Sequence, residues 1–577
     1  MTTRTTGHYF LEGLQELGLK RLFVNLGTDH VTIIEELARW RAEGRTPPEI
    51  IMCPHENVAV HMAGGYAMAT GEGQAVLVHV DAGTANAAMG MHNLARTRVP
   101  VLLMAGRAPY TIHGELPGSR DNFVHFVQDP FDIASIVRPY VKWEYNLATG
   151  VNVKEVLRRA HTVMQSDPPG PVYLTLPRET LAEEWEDGRV LSYPADRYGS
   201  VRAGAALPGQ AERIAEALMT AERPIAITSY LGRRPEAVAV LDALAREAGI
   251  AVVEMTPTAL NIPHDSPCFA GFDPLVAMKD ADLGLMLDVD VPYLPKFAPD
   301  AGRLRWMQVD VDAVKRNFPM WGFPVDVRIE GDCTTVLGEV LSILRVRADD
   351  AFRERAARRL AAMEDAATAR RARLAVAAQA PGERDNVSVA HLCTLLAQHM
   401  GPEDVLLNEA VRNVLTVSAQ IPRTRPGTYF GSAGGGLGFS GGAALGVKLA
   451  RPDRRVVQVV GDGVFQFSAP DSVFATAQQY GLPILTVVLD NRGWQAVKMA
   501  VLRVYPDGAA HGADEYHARL DGREQGAQRR FEEIGRAFGA HGEAVSDPAD
   551  LPAAAARCFE ALDRGQAAVL NVRIGPL

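Results

Sequence analysis

The sequence predicts an α/β protein of three domains, each a mostly parallel sheet flanked by helices. Three observations carry this. Short apolar runs rich in Val, Ile and Leu recur along the whole chain, as strands buried on both faces do. Helical stretches separate them, as the crossovers between parallel strands require. A length of 577 residues also exceeds what one hydrophobic core holds.

In the first third, strands are expected at Arg21–Asn25, Ala75–Val80, Val99–Ala105 and Val172–Leu176, with helices over Thr32–Glu43 and Glu56–Thr70. Leu181–Pro208 is richer in charge, Gly and Pro and reads as a linker. A second set follows at Pro224–Thr228, Ala251–Glu254, Leu283–Asp288 and Leu304–Val309. The Arg/Ala/Glu-rich run Asp349–Gln379 predicts a solvated connecting helix. The third set is Val405–Leu407, Arg455–Val460, Ile484–Leu489 and Ala568–Val572.

Composition excludes some functions. The net charge of −10 leaves no basic excess to neutralise phosphates, so neither general nucleic-acid binding nor anionic-membrane binding is expected. Cys53, Cys268, Cys333, Cys393 and Cys558 are scattered, with no CxxC pair, and read as reduced thiols. Met1–Phe10 lacks the apolar run of a signal peptide, and no stretch approaches a membrane-spanning length. A cytoplasmic enzyme is the expectation.

The strongest motif is Val456-Val-Gln-Val-Val-Gly461-Asp462-Gly463, a buried strand ending in a Gly-Asp-Gly turn before a helix near Ser468–Tyr480. Another strand, Ile484–Leu489, ends in Asp490-Asn491-Arg492-Gly493. Neighbouring parallel strands place their C-terminal ends side by side, so Asp462 and Asn491 can offer oxygens to one cation. Magnesium prefers hard oxygen ligands together with phosphates. Gly461 and Gly463 let backbone approach an anionic group closely. The bland alternative is an Asp capping a helix.

Upstream, Gly431–Gly442 contains Gly436-x-Gly438-x-x-Gly441, formally a dinucleotide fingerprint. A nicotinamide oxidoreductase needs a strand directly before those glycines and an acid about 20 residues beyond them. The preceding Arg423–Phe430 is polar and broken by proline, and the acid at that distance is Asp462, already inside a better motif.

In the first third, Pro54-His55-Glu56-Asn57 precedes a small-residue helix. A strand with His79 between Val78 and Val80 follows, then a turn over Asp81–Asn86. Taken alone, Glu56 is a first-turn helix residue and His79 a core histidine.

Together these motifs resemble the thiamine-diphosphate enzymes of the acetolactate synthase / benzoylformate decarboxylase family. The Gly-Asp-Gly strand end followed by helix, strand and Asn carries the resemblance. So does the run from His79 to Asn86, which resembles the benzoylformate decarboxylases at the same distance from the cofactor Glu. Arg138–Trp143, Gly170–Leu174, Leu407–Glu409 and Tyr429–Gly438 are similar too.

The resemblance implies an aminopyrimidine-binding domain over 1–186, a central α/β domain over 200–348 and a diphosphate- and magnesium-binding domain over 380–577. It implies that Asp462, Asn491 and the Gly493 carbonyl hold magnesium and that Gly461 and Gly463 meet the diphosphate. Leu437 would bend thiamine diphosphate from beneath, and Glu56 would drive its pyrimidine to the imino form. His79 would relay protons to and from the reacting intermediate, since its natural pKa suits that work near neutrality. Glu56 of one chain would serve the cofactor held by Asp462 of another, giving a homodimer at minimum and a homotetramer as the expected assembly.

The activity implied is decarboxylation of a 2-oxo acid, with or without carboligation. The alternatives are acetolactate-synthase-like acyl transfer, a nicotinamide oxidoreductase and a catalytically silent relative. FAD or a coenzyme A nucleotide in the central domain is left open.

There are departures. Asp462 and Asn491 stand 29 residues apart, longer than the family's usual pattern. Ser468-Ala-Pro-Asp471 is where the excess would be absorbed. Ser266 stands where the decarboxylases carry a second active-site His, with His264 two residues earlier. Thr28 replaces their Ser, and Arg412 lies near the expected cofactor mouth. Thr28, His264 and Arg412 are therefore the substrate candidates.

Overall fold

The computed structural model describes residues 3–520 and 529–575. Three six-stranded sheets, each parallel throughout, form its framework.

The first sheet contains β1 (Arg21–Val24), β2 (Glu49–Met52), β3 (Gln74–Val78), β4 (Val101–Arg107), β5 (Glu144–Asn146) and β6 (Val172–Pro177), in the order β2-β1-β3-β4-β6-β5. β3 and β4 are buried over nearly their whole length, which explains why they read as unbroken apolar runs. β2 and β5 lie at the sheet edges, where exposed polar residues hide the pattern.

Helices α1 (Val31–Ala42), α2 (Glu56–Thr70) and α3 (Val80–Thr97) connect these strands. The expected strand through His79 and the expected turn over Asp81–Asn86 are both corrected. β3 stops at Val78, His79 is the cap of α3, and Asp81–Asn86 lie in its first turns. Val80, Thr84, Ala87, Met91 and Leu94 are buried at helical spacing and hold that helix in place. The small residues that suggested a turn are small because this helix is closely packed.

The central sheet contains β7 (Pro224–Thr228), β8 (Ala251–Glu254), β9 (Phe269–Gly271), β10 (Leu283–Leu287), β11 (Arg305–Asp310) and β12 (Val327–Glu330), ordered β9-β8-β7-β10-β11-β12. Chain direction across this sheet reverses between β7 and β10, where doubly wound sheets open a ligand crevice. Here side chains fill the strand ends. Arg233 pairs with Asp288 at 2.5 Å, and buried Lys315 reaches Asp290 at 2.7 Å and the Tyr230 hydroxyl at 2.9 Å. The Tyr230 hydroxyl in turn donates to Asp310 at 2.6 Å.

Helix α4 (Asp350–Gln379) runs for 30 residues and buries only Phe352, Ala356, Ala367 and Ala378, as a solvated connector should.

The third sheet contains β13 (Val405–Glu409), β14 (Tyr429–Phe430), β15 (Val456–Gly461), β16 (Leu485–Asp490), β17 (His541–Val545) and β18 (Ala568–Arg573). Its order is β14-β13-β15-β16-β18-β17. Counted along the chain, that is the strand order of the first sheet.

The described residues up to Arg202, together with 434–452 and 466–482, form one compact unit, and the remainder form a second. Within the first unit, α2 packs against α5 (Phe439–Ala450) almost backbone to backbone. A Cβ on Gly65 would lie 2.1 Å from the Ala443 carbonyl oxygen, and one on Gly446 1.9 Å from that of Met62. Only glycine allows this approach. All five cysteines are buried and free. Among the described residues, no helix is long and apolar enough to cross a membrane.

Candidate active site

The first cluster forms where β3 meets α3. Asp29, in the loop before α1, places Oδ1 2.5 Å from His79 Nδ1. The other ring nitrogen, Nε2, lies 3.0 Å from Gln128 Oε1. Asp29 is 1% exposed, and its Oδ2 accepts the Val80 amide at 3.4 Å, at the start of α3. Val80 adopts φ +29°, a strained value for a β-branched residue, and such strain gathers at working sites. A Cβ on Gly106, at the end of β4, would fall 1.5 Å from Asp29 Oδ2, so glycine there leaves room for the carboxylate.

Electrostatics follow from this geometry. The hydrogen bond from Asp29, outweighing partial burial, holds the His79 imidazole above its ordinary pKa. Burial pushes the Asp29 carboxyl up, but His30 and His79 hold it below the usual carboxylate range. Burial pushes His30 and His125 down, which leaves both neutral near pH 7. Thr28 is exposed and its hydroxyl lies 3.3 Å from His125 Nε2.

Glu56 opens α2 and is buried. Its Oε2 accepts the Asn86 side-chain amide at 2.9 Å. His55 caps the same helix by accepting the Asn57 amide. The Leu437 loop belongs to this unit as well. Asn93 of α3 donates to the Gly436 carbonyl at 2.9 Å and accepts its amide at 3.0 Å. His92 meets the Gly434 carbonyl at 2.6 Å. One helix therefore carries His79 at its cap, Asn86 on Glu56, and the pins of the loop holding half-buried Leu437. Those pins also answer the dinucleotide alternative. The Gly436 backbone is engaged by protein, and the strand before it, the two-residue β14, ends at Phe430 and does not run into those glycines.

The second cluster lies at the ends of β15 and β16. Asp462, 2% exposed, accepts the Gly463 amide on Oδ1 and the Gly493 amide on Oδ2, both at 2.9 Å. The Gly493 amide also lies 3.1 Å from Asn491 Oδ1, so the Asp462 and Asn491 oxygens flank one N–H. The Arg529 guanidinium bonds to both Asp462 and Asp490. Burial pushes Asp462 up to about 6 against the pull of Arg529. A carboxylate and an amide oxygen converge here, and the negative charge is already met by a cationic side chain. This donor set fits a small hard cation. Between Asp462 and Asn491, Ala469 adopts φ +53° and separates the helix Asp462–Phe467 from α6 (Pro470–Tyr480).

The other substrate candidates lie apart from these contacts. His264 is buried, with Nε2 2.8 Å from Glu254 and Nδ1 accepting the Arg423 amide at 3.2 Å, so neither ring nitrogen is free. It stacks on Phe269 as a packing residue. Arg412 is exposed in a single turn over Val411–Asn413.

Asp29, Asn86, Gln128 and Arg529 contact the candidate residues and were passed over by motif reading. Asn86 lies within the quoted run from His79, and Asp29 directly follows Thr28. Gln128 and Arg529 arrive from connecting segments with no local pattern.

Three family models match the chain in order. They are the thiamine pyrophosphate enzyme N-terminal TPP binding domain over residues 4–136, the central domain over 211–340 and the C-terminal TPP binding domain over 413–572. The acetolactate synthase large subunit of Haemophilus influenzae is 26% identical over 487 residues, 78% of this chain and 76% of that one. The benzoylformate decarboxylase of Pseudomonas aeruginosa is 26% identical over 508 residues, 84% and 86% of the two chains.

Two solved structures share the fold over 100% of both chains. The Rhodococcus jostii RHA1 thiamine diphosphate-dependent 4-hydroxybenzoylformate decarboxylase has a TM-score of 0.75 at 20% identity. The benzoylformate decarboxylase from Polynucleobacter necessarius has a TM-score of 0.77, also at 20% identity.

Proposed function

Because the chain belongs to the thiamine pyrophosphate (thiamine diphosphate) enzyme family, we propose that it decarboxylates a 2-oxo acid and releases the aldehyde. The observation that supports this is His79, held at a helix cap between a buried carboxylate and an amide oxygen. A group so placed delivers a proton, and protonation is the step that ends in aldehyde release.

Bound thiamine diphosphate supplies the carbon nucleophile and the electron sink. The chain's own residues do the rest. Glu56 has one oxygen fixed by Asn86; its carboxylate would meet the cofactor's pyrimidine and favour the imino form. Leu437, on a loop held by Asn93, would support the cofactor. Asp462, Asn491 and the Gly493 carbonyl would hold magnesium, with Gly461 and Gly463 against the diphosphate. Thr28, the exposed hydroxyl nearest this cluster by sequence, is the substrate contact we favour. Glu56 of one chain serves the cofactor held by Asp462 of another, in a cytoplasmic assembly that is at least a homodimer and, by family, a homotetramer.

The test is product analysis. Protein supplied with thiamine diphosphate and magnesium is given pyruvate, benzoylformate and branched 2-oxo acids in turn. Carbon dioxide and an aldehyde are the expected products. Acetolactate from pyruvate is the outcome of the second reading, acyl transfer to another 2-oxo acid, which the equally similar Haemophilus influenzae relative supports. Tight cofactor binding with no turnover of any substrate would leave a silent relative.

A further inference from the structure

We propose that Asp29 and Gln128 are positioning residues that keep His79 a doubly protonated imidazolium in the resting site. The proposal rests on the decarboxylase reading for its consequence, but not for the charge state itself.

The geometry leaves little choice. An ionised carboxylate only accepts, so Nδ1, 2.5 Å from Asp29 Oδ1, carries a proton. Gln128 turns its carbonyl oxygen to Nε2 at 3.0 Å, and that oxygen also only accepts. With the Gln128 amide in that orientation both ring nitrogens donate, and a histidine donating from both is cationic. The carboxylate is itself fixed. Asp29 is buried, its second oxygen receives the Val80 amide at the positive end of an 18-residue helix, and Gly106 leaves the space it fills.

The other titratable or charged groups on the surrounding elements do not reverse this. His30 and His125 are held neutral by burial, Asp81 on the same helix favours the cation, and Asp129 beyond Gln128 is paired with Arg120. Glu56, on α2, is bonded to Asn86 of α3.

The consequence is a bias between products. A proton already at Nε2 is transferred without waiting for solvent, and its donation leaves a neutral imidazole still hydrogen-bonded to Asp29. A reserve of this kind favours protonation over capture by a second carbonyl. Gln128 tunes the outcome, because its amide marks where that proton points.

The test reads charge before chemistry. Protein carrying histidine labelled with carbon-13 at Cε1 is titrated by NMR, the His79 resonance being identified by its loss in His79→Gln. The wild-type resonance is expected to stay in the imidazolium position through pH 7. In Asp29→Asn it is expected to titrate at least about one unit lower. Gln128→Leu, at a half-buried position that leaves the carboxylate untouched, is expected to lower it less, and keeps the test alive should Asp29→Asn not fold.

In the kinetic arm, the alkaline limb of kcat against pH moves acidward in both variants with KM unchanged. The ratio of carboligation product to aldehyde rises when benzaldehyde or acetaldehyde is added. A wild-type His79 that is neutral at pH 7, or variants that leave its titration in place, overturns the proposal. A normal titration shift in a protein with no decarboxylase turnover leaves the charge state standing and removes the proposed function instead.

Discussion

Replacing Arg529 by Gln removes a positive side chain bonded to both Asp462 and Asp490, which are 2% and 1% exposed. Breaking a buried ion pair from one side destabilises by about 3–5 kcal/mol. Two features place this case near the lower bound. The Arg529 side chain keeps 16% exposure, so water already screens the pair somewhat. Asp462 can also escape by taking a proton, and raising a carboxyl from its ordinary value to pH 7 sets a ceiling of about 4 kcal/mol.

A loss of about 3 kcal/mol in a domain of this size lowers the melting midpoint by roughly 6–12 °C. Thermal unfolding of wild type and Arg529→Gln would be followed with EDTA, and again with excess magnesium and thiamine diphosphate. The expected result is a drop of that size with EDTA that largely disappears with the cation, which takes over the neutralising role. An equal drop in both conditions would make Arg529 a purely structural residue. No drop in either would mean that the two carboxylates do not depend on it for charge balance.

Five further outcomes are expected. Glu56→Gln should keep the fold by circular dichroism and lose turnover by at least about 100-fold, in line with removal of a general acid–base group; unchanged activity would take Glu56 out of the mechanism. His79→Ala should bind thiamine diphosphate normally in a calorimetric titration while slowing product formation, and a wild-type rate would return His79 to the role of a core histidine. Turnover of the wild type should fall as pH rises through the elevated His79 value, because the proton to be donated is lost there. The stability contributed by the His79–Asp29 pair should be present below the unfolded histidine pKa and disappear over that same rise. Gly446→Ala gains about 1 kcal/mol of helix propensity, yet its Cβ would meet the Met62 carbonyl oxygen at 1.9 Å, so a net loss of about 1–3 kcal/mol is expected in denaturant unfolding.

Much of the framework was legible because buried parallel strands leave continuous apolar runs. Pro224–Thr228 and Ala251–Glu254 coincide with observed strands for that reason. β2, β5, β14 and β17 did not announce themselves, being short, partly polar or at sheet edges. The segment after Val78 misled because alanine, glycine and threonine suit both a turn and a tightly packed helix, and only the buried face of α3 decides between them. Among the site residues, Glu56 and Asp462 are visible through rigid local motifs. Asp29 became visible only when the loop after β1 met the cap of α3, a contact 50 residues apart in sequence. His264 is buried with its nitrogens on Glu254 and the Arg423 amide, partners that its nearness in sequence to a motif position does not announce.

The shared strand order of the outer two sheets has a chemical corollary. In each, the third strand along the chain ends at a residue the proposed reaction depends on, His79 after β3 and Asp462 after β15. The same topology thus presents a strand end at the same address in both sheets, filled by an imidazole in one and a carboxylate in the other.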